Sequence, residues 1–346
     1  MSTQRYFNPA IELMERNEIK NLQEKLLPKM VEHVYGRSMF HRKNFDKVGL
    51  KPMDVKSLED LKKIPVACKT DLEKAVKDFD DPMGGRKCVE EKPVFTFAPE
   101  FPAEGEIIYV SLSFGDITRL AEALARQWIM VGVGMGETVQ VQGWSWDPLH
   151  MIVNPQIFPP GLSVTTASLL NCKTIPVEIM PEDIGRTVFM AKFFKPSTVF
   201  MSRKTLDAMV KFVEKEGINP KDLGYRTVVV RESKNVLSAD ERKIFEEKLG
   251  LKIQSMLDVR ENLFYASDCP NIDGLHVWED MYIVEVLDPE KLESVGLGEY
   301  GKLTITNLFA EVVPLLRYRS DVDVTLNFEV CGCGRTHVRI VPQNYK

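Results

Sequence analysis

STVFMSRKTLDAMVKFVEKEGINPKDLGYRTVVV (residues 197–230) reads as strand, helix, strand. STVFM (197–201) and YRTVVV (225–230) are short β-branched apolar runs. Between them RKTLDAMVKFVEKEG (203–217) is a helix that ends in glycine. Two strands joined by a helix of this length form a crossover unit, which makes them parallel neighbours. The same alternation extends in both directions. Downstream, SADERKIFEEKLG (238–250) is a helix with a Ser cap and a Gly stop. Upstream, PEDIGRTVFMAKFF (181–194) and DITRLAEALARQWIMVGV (116–133) read as helices, and TVQVQG (138–143), EIIYVSL (106–112) and VFTF (94–97) as strands. The fold class is therefore α/β, built on a mostly parallel sheet.

Residues 1–92 are expected to form a helical N-terminal segment. Leu22, Leu26, Leu27, Met30, Val31, Val34 and Tyr35 recur at helical spacing. SLEDLKKIP (57–65) is a short helix between a Ser cap and a Pro stop, followed by a charged connector broken at Gly84 and Gly85. Residues 93–280 form the α/β core. Residues 281–346, with MYIVEVL, GKLTITNL and VVPLLRYRS, form a smaller β region expected to pack against the parallel sheet.

The chain has 346 residues, 44% hydrophobic and 27% charged, with 45 Lys and Arg against 50 Asp and Glu for a net charge of -5. That balance argues against nucleic acid, whose phosphates call for clustered cations. The N-terminus lacks the apolar stretch of a signal peptide, and no run approaches the roughly 18 to 20 apolar residues of a membrane span. Six cysteines (68, 88, 172, 269, 331 and 333) are too sparse for a disulfide framework. They fit reduced thiols or a metal site in a cytoplasmic protein.

CPNIDGLH and CGCGRTH place Cys269 and His276, then Cys331 and Cys333, at short spacings in Gly-containing turns. Thiolates and imidazoles so spaced suit a tetrahedral structural zinc, with His337 as alternate ligand. In RYRSD, Arg317 and Arg319 share one strand face with Asp321 beyond, a pattern able to hold a carboxylate or ribose-phosphate group. Trp144, Trp146 and His150 follow a strand and are candidates to line a ligand pocket. GVGMG (132–136) follows a helix, not a strand, so it is no dinucleotide fingerprint. No Ser-His-Asp or Cys-His nucleophile arrangement suggests itself.

The opening YFNPAIELMERNEIKNLQEKLLPKMVEHVYGRSMFHRKNFDKVGL, then SLEDLKKIPVACKTDL, DGLHVWEDMYIVEVLDP, PLLRYRS and CGCGRTHVRI, resembles phenylacetate-CoA ligases of the adenylate-forming superfamily in order along nearly the whole chain. The resemblance implies the large N-terminal domain of that fold, with a zinc-clipped β region. It also implies activation of a carboxylate by ATP and transfer of the acyl group to coenzyme A.

The nucleotide-handling motifs depart from that pattern. TFAPEFPAEGE (96–106) occupies the place of a phosphate loop of the form S-S-G-T-T-G-K. Pro99 and Pro102 remove amide donors, and Glu100, Glu104 and Glu106 add negative charge. One carboxylate about 6 Å from a phosphate oxygen costs roughly 3 kcal/mol at an effective dielectric near 20. VVVRESKNVLS stands where G-A-E-P-W would cup adenine. In MLDVRE only Glu261 of Y-G-L-T-E is kept, with Leu257, Asp258 and Arg260 at the other positions. Arg317, Tyr318, Arg319 and Ser320 match R-Y-R-T-x-D, but Asp321 and Asp323 flank the position of its aspartate. After VPQNYK the family's small mobile domain is expected to be absent.

These departures lead to the expectation of a degenerate relative that forms no acyl-adenylates alone. It would serve as a binding, regulatory or assembly subunit with an aromatic or acyl pocket near Trp144 and Trp146. ATP and Mg²⁺ are not expected to bind well, coenzyme A is retained as a candidate ligand, and a homodimer is expected by analogy. One alternative is a carboxylate-CoA ligase using a small domain supplied in trans. Another is new chemistry in the old cleft, with Glu100, Glu104, Arg260 and Glu261 as the reactive groups.

Overall fold

The computed structural model describes residues 5–90, 93–99, 106–142, 164–177, 180–343 and 345. Its helical opening follows the apolar spacing: α1 (Pro9–Glu12), α2 (Arg16–Arg37) and α3 (Met39–Lys47). Leu27, Met30, Val31 and Val34 of α2 are buried on one face. SLEDLKKIP forms a 3-10 helix, Leu58–Lys63, whose Asp60 carboxylate accepts the Ser57 amide at 3.0 Å. Next come α4 (Lys69–Phe79), a two-stranded antiparallel ribbon of β1 (Phe95–Phe97) and β2 (Val110–Leu112), and α5 (Phe114–Met130).

The crossover units then follow in order: β3 (Thr138–Gln142), α6 (Thr166–Leu169), β4 (Lys173–Val177), α7 (Ile184–Phe194), β5 (Thr198–Met201), α8 (Arg203–Lys215), β6 (Thr227–Glu232), α9 (Ala239–Leu249) and β7 (Lys252–Val259). Helix α8 starts at Ser202, whose hydroxyl accepts the Thr205 amide, and Leu206, Met209, Val210 and Val213 are buried along it. These strands pair in parallel in the order β4-β3-β5-β6-β7.

At β7 the sheet changes character. A 3-10 turn, Arg260–Asn262, closed by Leu263 at φ 54, folds the chain back into β8 (Phe264–Ser267) as an antiparallel neighbour. β9 (Leu275–His276), β10 (Tyr282–Leu287), β11 (Gly301–Asn307), β12 (Tyr318–Asn327) and β13 (Arg339–Pro342) extend it to eleven strands in the order β10-β11-β12-β13-β9-β8-β7-β6-β5-β3-β4. The smaller β region thus joins the parallel strands edge to edge through β8. The unpaired edge of β7 is a row of donors and acceptors, and β8 satisfies it.

The N-terminal helices pack into the β-rich end. Leu27, Val31, Phe45 and Ile64 from the N-terminal helices share a buried cluster with Ile283, Leu308 and Leu316 from the β-rich end. Ala67 is stitched to that end by hydrogen bonds with the Arg317 carbonyl (3.1 Å) and the Arg319 amide (2.8 Å). Among the described residues no helix is long and apolar enough to cross a membrane.

Candidate active-site cleft and Cys/His cluster

The parallel strands end together on one side of the sheet, where α/β folds place ligands. There the turn after β7 presents Arg260 and Glu261, the loop after β6 presents Ser233 and Lys234, and α4 contributes Lys69. Tyr318, Arg319, Ser320 and Asp321 of β12 form the opposite wall. Asp258 lies beneath, with 2% of its side chain exposed, between two guanidinium groups: Arg231 Nε at 3.3 Å and Arg260 Nε at 3.7 Å. The cleft over this charge group holds about 30 Å³. Beside Arg231, Glu232 accepts the Arg203 amide at 2.8 Å, while burial holds its carboxyl above the usual range. A broader groove of about 720 Å³ adjoins, bordered by Arg203, Lys234, Asp321, Asp323 and Gln343. Its charges are largely paired with one another, Arg203 with Glu241 and Lys234 with Asp321.

On the other side of Arg231 is an apolar slot. Leu124 and Trp128 of α5, Val141 of β3, Phe200 of β5 and Met256 of β7 line it, with Arg231 at its rim. Trp128 stacks on Phe200 with ring centroids 5.3 Å apart. Gln142 is fixed at the end of β3, accepting the Ser202 amide at 2.6 Å and donating to Thr205 Oγ1 at 2.7 Å. The slot holds about 20 Å³ between buried apolar side chains, and the guanidinium at its edge is paired with Asp258.

The expected pairing of Arg317 with Arg319 does not form. Arg317 is buried, holds Glu285 through Nε and Nη2 at 3.0 Å each, and donates Nη1 to the Lys62 and Ile64 carbonyls. Its positive φ of 44° turns it off the face that Arg319 occupies. Arg319 reaches the Pro289 carbonyl at 2.9 Å, and Asp321 is largely exposed. Trp144, Trp146, His150, Glu100 and Glu104 lie outside the described residues. The sequence reading missed Arg231 and Lys69 as site residues. Arg231 stood in VVVRESKNVLS, a stretch with none of the family motif's glycine, proline or tryptophan; Lys69 follows the Ala67–Tyr318 bridge that brings it to the cleft.

The two cysteine turns do meet. The ligand atoms of Cys269, His276, Cys331 and Cys333 all lie within 4.8 Å of one another. Cys269 Sγ is 3.6 Å from Cys331 Sγ, and Cys333 Sγ is 3.6 Å from His276 Nε2. Tetrahedral zinc, with Zn–S near 2.3 Å and Zn–N near 2.0 Å, sets its ligand atoms about 3.5 to 3.8 Å apart, so the donor set fits. Burial alone would raise the Cys331 thiol, but the His276 hydrogen bond brings it down to about 7. Cys333 is lowered by hydrogen bonds from Cys269 and His276, and Cys269 in turn keeps its proton. His337 is not available as a ligand: Nδ1 accepts the Glu279 amide at 3.0 Å and Nε2–H donates to the Ile11 carbonyl at 2.8 Å.

With the geometry established, likeness to solved structures defines the class. The chain superposes on 2-hydroxyisobutyryl-CoA ligase in complex with 2-HIB-AMP and CoA at a TM-score of 0.86, with 22% identity, covering 98% of this chain and 70% of that one. An open conformation of the same ligase gives 0.83 at 21% identity. The fold is that of the adenylate-forming CoA ligases. Curated relatives narrow this further. The phenylacetate-coenzyme A ligase of Thermus thermophilus is 28% identical over 340 residues, 97% of this chain and 72% of that protein. That of Pseudomonas putida is 25% identical over 315 residues, 90% of this chain and 66% of its own length. No family model matches. The chain is thus a homologue of the phenylacetate-CoA ligases, as the residue-level resemblance implied.

Proposed function

We propose that this phenylacetate-CoA ligase homologue forms no acyl-adenylates on its own and acts as a binding, regulatory or assembly subunit for a small aromatic or acyl ligand. The observation that carries the reading is the buried Asp258 between Arg231 and Arg260, at the positions where the family's adenine-cupping and magnesium-binding motifs would lie. Seating a nucleotide there requires breaking a buried ion group, which strands an uncompensated charge. The space directly over that group is about 30 Å³, and the groove of about 720 Å³ beside it is bordered by carboxylates, Asp240, Glu241, Asp321 and Asp323, that repel a triphosphate. The slot at Leu124, Trp128 and Phe200 adjoins that group through Arg231 and holds about 20 Å³, so an organic ligand would enter it by displacing these side chains.

We also propose a structural zinc on Cys269, His276, Cys331 and Cys333. Four protein ligands fill the tetrahedron, so the ion would supply a cross-link and no open position for catalysis.

ATP–pyrophosphate exchange across a panel of aryl and aliphatic carboxylates tests the function. The expected result is no exchange above background, together with a calorimetric response to an arylacetate or to coenzyme A without ATP. Glu261 at the cleft edge favours a second reading, a ligase completed by a small domain from another polypeptide. Exchange driven by any carboxylate and blocked by Glu261→Gln would establish that reading and overturn the first.

A further inference from the structure

Residues 5–16 grip the turn that carries Cys331 and Cys333. The Cys333 carbonyl accepts from Arg5 Nη2 at 2.8 Å and from the Tyr6 hydroxyl at 2.9 Å. Arg335, 2% exposed, donates Nε to Glu12 Oε2 at 2.7 Å and Nη2 to the Arg5 carbonyl at 3.1 Å, and lies 5.0 Å over the Tyr6 ring. Thr336 Oγ1 donates to the Met14 carbonyl at 2.6 Å, and His337 Nε2 to the Ile11 carbonyl. Glu12 folds the segment on itself by accepting the Phe7 and Asn8 amides at 2.7 and 2.8 Å. The approach is close enough to require glycine in the turn: a Cβ at Gly334, where φ is 92°, would stand 2.4 Å from the Tyr6 hydroxyl oxygen.

We propose that a metal ion on Cys269, His276, Cys331 and Cys333 locks this N-terminal segment in place, making residues 5–16 a strap that docks on the loaded cluster and releases from the empty one. The inference rests on the zinc reading above. Cys331 to Gly334 contribute two thiols and two glycines, with little apolar surface to fix their path. Metal–ligand free energy is what orders such a turn. The strap's acceptors and donors lie on Cys333 itself and on Arg335, Thr336 and His337, two to four residues from a ligand. Hydrogen bonds near 3 Å tolerate little displacement of those groups.

The strap also contacts α5. Asn8 Nδ2 donates to Glu122 Oε1 at 3.1 Å, and Glu122 pairs with Arg126 on α5, the helix that supplies Leu124 and Trp128 to the slot.

Zinc content per purified chain is measured first, then hydrogen exchange of residues 5–16 before and after chelation, with α8 as internal reference. Removal of zinc should speed exchange of the strap about tenfold or more and leave α8 unchanged. Coupling is reciprocal, so the double variant Arg5→Ala/Tyr6→Phe should bind zinc about fivefold or more weakly in competition with a chromophoric chelator. A protein that holds zinc yet shows unchanged strap exchange on chelation, or unchanged zinc affinity in the double variant, overturns the strap. Loss of protection throughout the chain on chelation also overturns it, since the ion then supports the whole fold. A chain that binds no zinc overturns the reading beneath it.

Discussion

Arg317 and Arg319 stand two positions apart, and their surroundings separate their roles. Arg317 holds the half-buried Glu285 through Nε and Nη2, and burial raises that carboxyl while the guanidinium draws it back. Arg317→Ala should therefore lower stability by about 2 kcal/mol or more, because it removes a buried guanidinium with four hydrogen bonds and leaves a half-buried carboxylate unpaired. Arg319→Ala should stay within about 0.5 kcal/mol, as for a surface residue. Urea midpoints at constant m-value would show the contrast, and equal losses would contradict it. His41 is the second residue with a readable consequence. Burial lowers its pKa to about 4, while Nε2–H donates to the Pro314 carbonyl at 3.0 Å. A base depressed in the folded state stabilises above its unfolded value near 6.5, and loses that contribution as pH falls toward 4. The loss should approach roughly 1.4 kcal/mol per pH unit in that window. His41→Gln should flatten the wild-type slope between pH 6.5 and 5; parallel slopes would remove His41 as the cause. Neither residue's environment was legible in sequence, since both depend on partners more than 30 positions away.

Elements whose ends are written locally were the easiest to read. Helix α9 begins where Ser238 Oγ accepts the Glu241 amide and Glu241 answers the Ser238 amide at 3.1 Å, and it stops at Gly250 with φ 63°. Ser238→Ala should cost about 1 kcal/mol in thermal or urea unfolding, because one orphan amide of the first turn loses its partner. No measurable loss would place the helix start elsewhere. Strands β4, β7, β8, β9 and β13 were not anticipated. β9 is two residues long, and β4 carries Pro176 in an edge strand, so neither has the length or alternation that marks a strand. The cysteine turns were legible because metal-ligand chemistry constrains spacing within each turn. Arg231 with Asp258 was not, because the pair forms between neighbouring parallel strands far apart in sequence.

For the whole molecule, the cleft lies where the parallel and antiparallel halves of one sheet meet, and Arg231 divides it. On one side charged side chains fill the floor; on the other, Leu124, Trp128, Val141, Phe200 and Met256 keep an apolar slot. A ligase that adenylates its acid must couple the two compartments, so carboxylate binding would depend on nucleotide. A chain whose nucleotide side is closed should bind an arylacetate without nucleotide, by opening the slot beyond the roughly 20 Å³ it now holds. Titration calorimetry should therefore give the same affinity, within about threefold, with and without MgATP. Leu124→Phe, which adds a ring to the slot, should weaken binding about tenfold or more, the equivalent of losing much of one buried side chain's apolar contact. The heat-capacity change should be negative, as burial of an apolar group requires. Strong tightening by MgATP would mean that the two compartments still communicate, and the Asp258 group would then be a gate that nucleotide opens, not a closed floor.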